Sequence, residues 1–71
     1  MTPQQLYNDE VRDCPRSPEW KAGALRGLRK ASGDRCDGSP YYSGTAQDDA
    51  WLAGNQYGMA VWKHAARRVQ A

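Results

Sequence analysis

Phenylalanine is absent from this 71-residue chain, and three Trp and four Tyr are its only aromatic residues. Because other large apolar residues are scarce, we expect Trp20, Trp51 and Trp62 to supply much of the core. A chain of this length forms at most one domain, residues 1–71, with a small core. A flat or grooved contact surface is easier to build at this size than a deep enclosed pocket, which favours binding over catalysis.

No apolar run reaches the roughly 20 residues that a membrane-spanning helix needs. The first residues, Met1 to Gln5, contain neither a basic region nor an apolar stretch of the kind that signal peptides have. Charged residues make up 25% of the chain, which is typical of a folded domain. We therefore expect a folded cytoplasmic protein without a membrane segment.

Cysteine and histidine are also few: Cys14, Cys36 and His64 are the only ones. In the cytosol both thiols are expected to be reduced, with a disulfide between them as the alternative. The three residues lack the Cys-x-x-Cys or paired-His spacing of zinc sites. Nothing in their spacing brings a thiol and an imidazole together for nucleophilic catalysis. We expect no catalytic residue, no metal and no cofactor.

Acidic residues are unevenly distributed, although the formal net charge is only +2. Residues 1–15 carry −2, residues 16–35 carry +4, residues 36–60 carry −3 and residues 61–71 carry +3. If the two basic segments pack side by side, they form one patch that attracts phosphates. The alternative is that these cations merely solvate exposed helix faces.

Two helices are predicted in the first half of the chain. The first begins at Thr2, a competent N-cap that is followed by Pro, and ends near Cys14. The second begins after Ser17 and runs to about Ala31, where Ser and Gly stop it. No convincing strand-like alternation occurs anywhere, so the fold class is all-α.

The second half of the chain consists of an irregular connection and a third helix. Residues 32–45 are rich in Gly, Asp, Ser and Pro, which form turns, and so long a loop in a small protein tends to be functional. The third helix is predicted to begin after Thr45 and to end near Val69. Its first turn holds Asp48 and Asp49, where the helix dipole favours acids.

Both long helices are predicted to be amphipathic at about 100° per residue. The apolar side of the second helix is formed by Trp20, Ala24, Gly27, Leu28 and Ala31, with Leu25 at its edge. Its basic side carries Arg26, Arg29 and Lys30. The apolar side of the third helix is formed by Trp51, Gly54, Gly58, Val61, Trp62, Ala65 and Val69. The opposite side carries Gln56, Lys63 and Arg67.

Two glycine pairs, Gly23 with Gly27 and Gly54 with Gly58, lie one turn apart inside these helices. Glycine in a helix costs about 0.5–1 kcal/mol relative to alanine, so four of them imply a compensating contact. Close approach of the two helix backbones beside Trp51 is the simplest compensation. The sequence therefore predicts a small antiparallel helical hairpin with an additional short N-terminal helix.

Three segments in this order carry a resemblance: Gly23-Ala-Leu-Arg-Gly27, then Ser39-Pro40-Tyr41, then Ala50-Trp51-Leu52-Ala53-Gly54. Over about residues 20–58 the chain resembles the ribosome modulation factor family, whose members have spaced glycines, a Cys-Pro-Tyr loop and a Trp-Leu-x-Gly segment. Ser39 takes the place of the family's cysteine, and Lys30 that of a further glycine. The resemblance implies a small cytoplasmic protein that binds the small ribosomal subunit and promotes inactive ribosome dimers in stationary phase.

The same family grouping includes short proteins proposed to phosphorylate fluoroquinolones with ATP. Phosphoryl transfer needs a phosphate cradle, magnesium ligands and a base held together. Asp48 and Asp49 are candidate magnesium ligands, but acids at a helix start are typical capping residues. Neither glycine pair has the context of a phosphate-binding loop. We therefore expect that the chain is not an enzyme.

Two functional hypotheses follow. In the first, the helices bind ribosomal RNA, and Tyr41 or Tyr42 stacks on an unpaired base or packs on the helices instead. The predicted phosphate contacts are Arg26, Arg29, Lys30, Arg35, Lys63, Arg67 and Arg68. Replacing Arg26 and Arg29 by Glu is then expected to abolish binding while the helix content stays intact.

In the second hypothesis, the chain is a protein-binding regulator or inhibitor that occludes a partner's surface, or it forms a homodimer. The glycine-lined helices and exposed aromatic residues would then be the interface, and the acidic stretch around Asp48 and Asp49 fits this hypothesis better. The two hypotheses differ in salt dependence, because binding driven by phosphate contacts weakens steeply as salt rises.

Overall fold

The computed structural model confirms the all-α class: over residues 1–70, the part of the backbone that the structure describes, three helices and no strand are present. Side chains are described for residues 1–68, so the predicted place of Val69 on the apolar side lies outside them. The three helices are α1 (Pro3–Glu10), α2 (Pro18–Ala31) and α3 (Ala46–Gln70). None of them, as far as it is described, is long and apolar enough to cross a membrane.

Each helix begins at the hydroxyl residue that the sequence predicts. Thr2 and Gln5 form a reciprocal capping box, in which the Thr2 Oγ1 accepts from the Gln5 N–H at 3.1 Å. The Ser17 Oγ accepts from the N–H of Trp20 at 3.2 Å. The Thr45 Oγ1 accepts from the N–H of Asp48 at 3.1 Å. Side-chain capping by nearby residues therefore fixes all three starts.

The end of α1 differs from the prediction. The helix stops at Glu10 instead of near Cys14, because the Val11 and Arg12 N–H groups both bond to the Tyr7 carbonyl and the chain then turns. Val11 is fully buried at this turn. Burial of this side chain against the other helices accompanies the early end of the helix.

The end of α2 reverses the direction of the chain. The Gly33 N–H bonds to the Lys30 carbonyl, and the Asp34 N–H bonds to the Arg29 carbonyl at 3.0 Å, which is the Schellman arrangement. Gly33 has a φ of +104°, a conformation that residues with a Cβ rarely adopt. After this turn the chain runs back along α2.

The packed pair of α2 and α3 is confirmed, but its two helices run in the same direction and not antiparallel as predicted. Gly54 lies against the Trp20 carbonyl, and Gly58 lies against the Ala24 carbonyl four residues further along. The physical reason is the connection of residues 32–45. At about 3.3 Å per residue it reaches about 45 Å, well beyond the roughly 21 Å length of a 14-residue helix. It therefore returns the chain to the beginning of α2.

The predicted role of the glycines in helix packing is confirmed by how closely the two backbones approach. A Cβ on any of the four would lie within 2.0 Å of a carbonyl oxygen of the other helix. The contacts are reciprocal: Gly23 faces the carbonyl of Trp51, while Gly54 faces that of Trp20. Only glycine fits at these positions without moving the helices apart.

The core is small and lies where the three helices meet. Leu6 and Tyr7 of α1 pack against it, as does Trp62, which is only half-buried. The prediction that the tryptophans form the core is thus confirmed for two of them, while Trp62 lies at the edge. The fully or nearly buried hydrophobic residues are Val11, Trp20, Ala24, Leu28 and Trp51.

Candidate nucleic-acid interface

The returning chain and α2 border an open groove of about 410 Å³, which we call the basic groove. Arg26 and Arg29 reach it from α2, and Arg35 reaches it from the connection. Pro40 and Trp51 contribute apolar lining. Three of the predicted phosphate contacts, separated by up to nine positions in the sequence, therefore line one surface.

The side chain of Arg26 is held by contacts with other residues of the protein. Its Nε donates to the Asp37 carbonyl at 3.0 Å, and its Nη1 donates to the Asn55 Oδ1 at 3.0 Å. Its guanidinium lies 5.4 Å from the centre of the Trp51 ring, within the range of a cation–π contact. Arg26 therefore ties the returning chain to both long helices. Its replacement by Glu, expected from the sequence to spare the structure, removes these contacts.

The other cations of this region are open to solvent. Arg29 forms one ion pair, with its Nε 3.7 Å from the Asp34 Oδ2, and both side chains are 54% exposed. Ion pairs this exposed contribute little to stability and are readily exchanged. Lys30 and Arg35 are exposed and line an adjoining shallow surface together with Asp37. These cations can bind an anionic ligand without breaking any contact of the core.

The two predicted stacking residues have different environments. Tyr41 is half-buried, and its N–H donates to the Ser39 Oγ at 3.2 Å. Tyr42 is 88% exposed. Its carbonyl accepts from the Thr45 hydroxyl at 2.7 Å, so the backbone beneath the exposed ring is held by the cap of α3. Tyr42 is the better placed of the two to stack on a base.

The second predicted basic cluster, Lys63, Arg67 and Arg68, is exposed near the end of α3. Arg68 lines a separate groove between α1 and α3 and not the basic groove. The structure thus brings Arg26, Arg29, Lys30 and Arg35 together around the basic groove, whereas Arg68 of the α3 cluster lines another surface.

The common direction of α2 and α3 separates charge along the molecule. Both helices begin at the end where Asp49 lies beside Arg16 and Ser17, and both end toward the opposite end. Acids at the common start and cations at the common end suit the helix dipoles, which point the same way here. The cations in the last turns are Arg29 and Lys30 of α2 and Arg67 and Arg68 of α3.

The residues considered for metal or thiol chemistry lie apart. Among the side chains of residues 1–68, no three His, Cys, Asp or Glu are grouped so that they could hold a metal ion. Cys14 and Cys36 are free thiols, and the Cys14 Sγ donates to the Glu10 carbonyl at 3.2 Å. Asp48 is 6% exposed in the first capped turn of α3, while Asp49 is exposed.

No protein-family model, curated protein or solved structure matches this chain. The resemblance to the ribosome modulation factor family therefore rests on the order and spacing of the segments between residues 20 and 58.

Proposed function

We propose that this chain is a small cytoplasmic RNA-binding protein that acts on the ribosome, in the manner of the ribosome modulation factor family that it resembles. Its partner is ribosomal RNA of the small subunit, and its effect is to reduce translation by binding, without catalysing a reaction. The observation that carries the proposal is the convergence of Arg29, Lys30 and Arg35, all exposed, on adjoining surfaces of the basic groove and its rim.

Two kinds of contact with RNA follow from this surface. Arginine binds phosphate through two parallel hydrogen bonds, so Arg29 and Arg35 each suit a phosphate of the backbone. Beyond the groove, Tyr42 presents an open ring at 88% exposure. Stacking of a base on such a ring contributes about 1–3 kcal/mol and tolerates any base. Affinity therefore comes mainly from phosphates, and the ring adds a preference for unpaired bases.

The proposal is tested by neutralising two cations at each end of the molecule. The groove variant is Arg29→Gln with Arg35→Gln, and the control variant is Arg12→Gln with Arg16→Gln. Both lower the formal net charge from +2 to 0, since each change removes one positive charge. All four residues are exposed, and the one contact with the core is that of the Arg16 guanidinium, 5.0 Å from the centre of the Trp20 ring. Circular dichroism and thermal unfolding check that both variants keep the fold.

The readout is the fluorescence anisotropy of a labelled single-stranded RNA titrated at several salt concentrations. A hydrogen bond to a charged group contributes about 1.5–3 kcal/mol, so the groove variant should bind at least about tenfold more weakly. Its salt slope should fall by about 1.4, because about 0.7 is lost per phosphate contact on a single strand. Equal losses in both variants would contradict the location of the site. Absence of binding by the unmodified protein would contradict the proposal itself.

A protein-binding regulator is the second candidate function. Leu52 is 44% exposed and Tyr57 is 39% exposed on α3, and both are large side chains of the type that forms interface centres. If the chain binds ribosomes or another partner through these residues, salt will change the affinity little. Leu52→Ala will then weaken binding more than the loss of Arg29 and Arg35 does.

A further inference from the structure

A second groove, separate from the basic groove, lies between α1 and the C-terminal half of α3. We call it the α1/α3 groove, and its volume is about 430 Å³. Leu6 of α1 forms part of its apolar lining together with Val61 and Ala65 of α3, and all three are half-buried. Tyr57 also lines it at 39% exposure. The exposed imidazole of His64 also lines the groove, between Val61 and Arg68. The groove is thus a mainly apolar surface that this chain covers only in part.

Opposite charges lie at the two ends of this groove. The first residues of α1 lie beside Leu25 and Arg29, near the end of α2, so α1 runs against the direction of the two long helices. Glu10, the last residue of α1, therefore lies at the Tyr57 end of the groove, while Arg68 lies at the other end. Both residues are exposed.

These two charges are not paired with each other within one molecule. Across the side chains of residues 1–68, the ion pairs are those of Arg12 with Asp13 and of Arg29 with Asp34. A groove with an acid at one end and a base at the other is complementary to itself after a half-turn rotation. Such self-complementarity is what a two-fold symmetric contact requires.

We propose that the face of the molecule containing the α1/α3 groove packs against the same face of a second copy of this chain, related to it by a two-fold axis. Glu10 of each copy then faces Arg68 of the other, and the apolar linings around Val61 meet between these two charge pairs. In this arrangement Arg68 belongs to the dimer contact instead of the RNA surface. The basic groove remains open in both copies.

The dimer is weak and sensitive to salt. A stable interface buries about 800 Å² on each partner, which is about a sixth of the 4899 Å² accessible surface of this chain. The α1/α3 groove is a smaller area, and its charge pairs lie at a solvent-exposed rim where salt screens them. We therefore expect a monomer–dimer equilibrium, with more dimer at low salt and high protein concentration.

Sedimentation equilibrium of the full chain and two charge-reversal variants tests the proposal. At low salt the unmodified chain should approach twice its 7.9 kDa mass as its concentration rises. Glu10→Arg alone places two cations at each contact, and Arg68→Glu alone places two acids there, so each variant should remain a monomer. An equimolar mixture of the two should dimerise again, because every contact in the mixed pair joins opposite charges.

Two neighbouring substitutions serve as matched controls. Asp9→Arg and Arg67→Glu make the same charge changes one residue away, on exposed positions that do not line the groove. They should leave the dimer unchanged. Glu10→Arg places a cation at the last turn of α1, which the helix dipole favours, and circular dichroism verifies that each variant keeps its helices. A chain that stays monomeric at all concentrations, or a mixture that is not rescued, overturns the proposal.

Discussion

Substitution of Gly54 by alanine is the sharpest test of how the two long helices pack. In an ordinary helix this change stabilises by about 0.5–1 kcal/mol, because glycine has more conformational freedom to lose on folding. Here the new Cβ would lie 1.9 Å from the Trp20 carbonyl oxygen and 3.0 Å from the Ala24 amide nitrogen. Both atoms belong to the backbone of α2, so no side-chain rotation relieves the contact and the helices must separate.

The expected change in the free energy of unfolding is the difference between these two opposed effects. Overpacking a well-packed core costs about 1–3 kcal/mol, and a clash with backbone belongs at the upper end of that range. After the gain in helix propensity, we expect Gly54→Ala to lower the free energy of unfolding by about 1–2 kcal/mol. In a domain of this size that corresponds to a Tm lower by about 5–15 °C. Because a core this small supplies only about 3–5 kcal/mol, a second change of this kind at Gly23 should remove most of the stability that remains.

Thermal and urea unfolding followed by circular dichroism measures this effect. The matched control is Gly38→Ala, since a Cβ at Gly38 meets no atom within 4 Å. It should leave the Tm unchanged or raise it slightly, because alanine restricts the unfolded chain. If Gly54→Ala has the same Tm as the original protein, or a higher one, the close approach of α2 and α3 is refuted.

Three further predictions concern the cap, the returning chain and the core. Thr45→Ala removes the cap of α3 and should cost about 1 kcal/mol in urea unfolding; a loss below about 0.3 kcal/mol contradicts the capping role. Arg26→Met keeps the side-chain stem but loses both hydrogen bonds, so limited proteolysis should cut the connection faster than in Arg29→Met, and equal rates refute the anchoring role. Leu28→Ala in the core should cost about 2–5 kcal/mol, whereas Leu52→Ala on the surface should cost less than about 0.5 kcal/mol; similar losses contradict the assigned core.

The features that the sequence predicted correctly are those decided by neighbouring residues. Thr2, Ser17 and Thr45 cap the helices through bonds to residues three positions away, so a local pattern suffices to find them. The glycine pairs identified the helix contact because glycines one turn apart weaken a helix unless a second backbone packs closely against them.

The predicted antiparallel direction of the helix pair was wrong because paired glycines allow two helix backbones to approach closely in either orientation. The length of the connection, residues 32–45, was the one available signal, because it is much longer than an antiparallel turn needs. The anchoring role of Arg26 left no signal at all. One of its acceptors is the backbone carbonyl of Asp37, which no choice of residue type reveals.

The basic segments illustrate a limit of charge patterns. Their distribution along the chain allowed one patch if the helices packed side by side, with solvated helix faces as the alternative. The shared direction of the long helices sends the ends of both toward one end of the molecule. Arg68 nevertheless lines the α1/α3 groove, while Arg29 and Arg35 line the basic groove. Charge totals by segment do not show which side of a helix packs against its neighbours. The side that stays open determines which cations can share one binding site.

Co-sedimentation with ribosomes on sucrose gradients, at low and at high salt, tests the proposed function most directly. We predict that the protein migrates with the small subunit or with ribosome dimers at low salt and is released at high salt. The Arg29→Gln, Arg35→Gln variant should stay at the top of the gradient, and the Arg12→Gln, Arg16→Gln control should migrate as the unmodified chain does. If the unmodified protein remains at the top of the gradient at low salt, the ribosome is not its partner and the proposal is wrong.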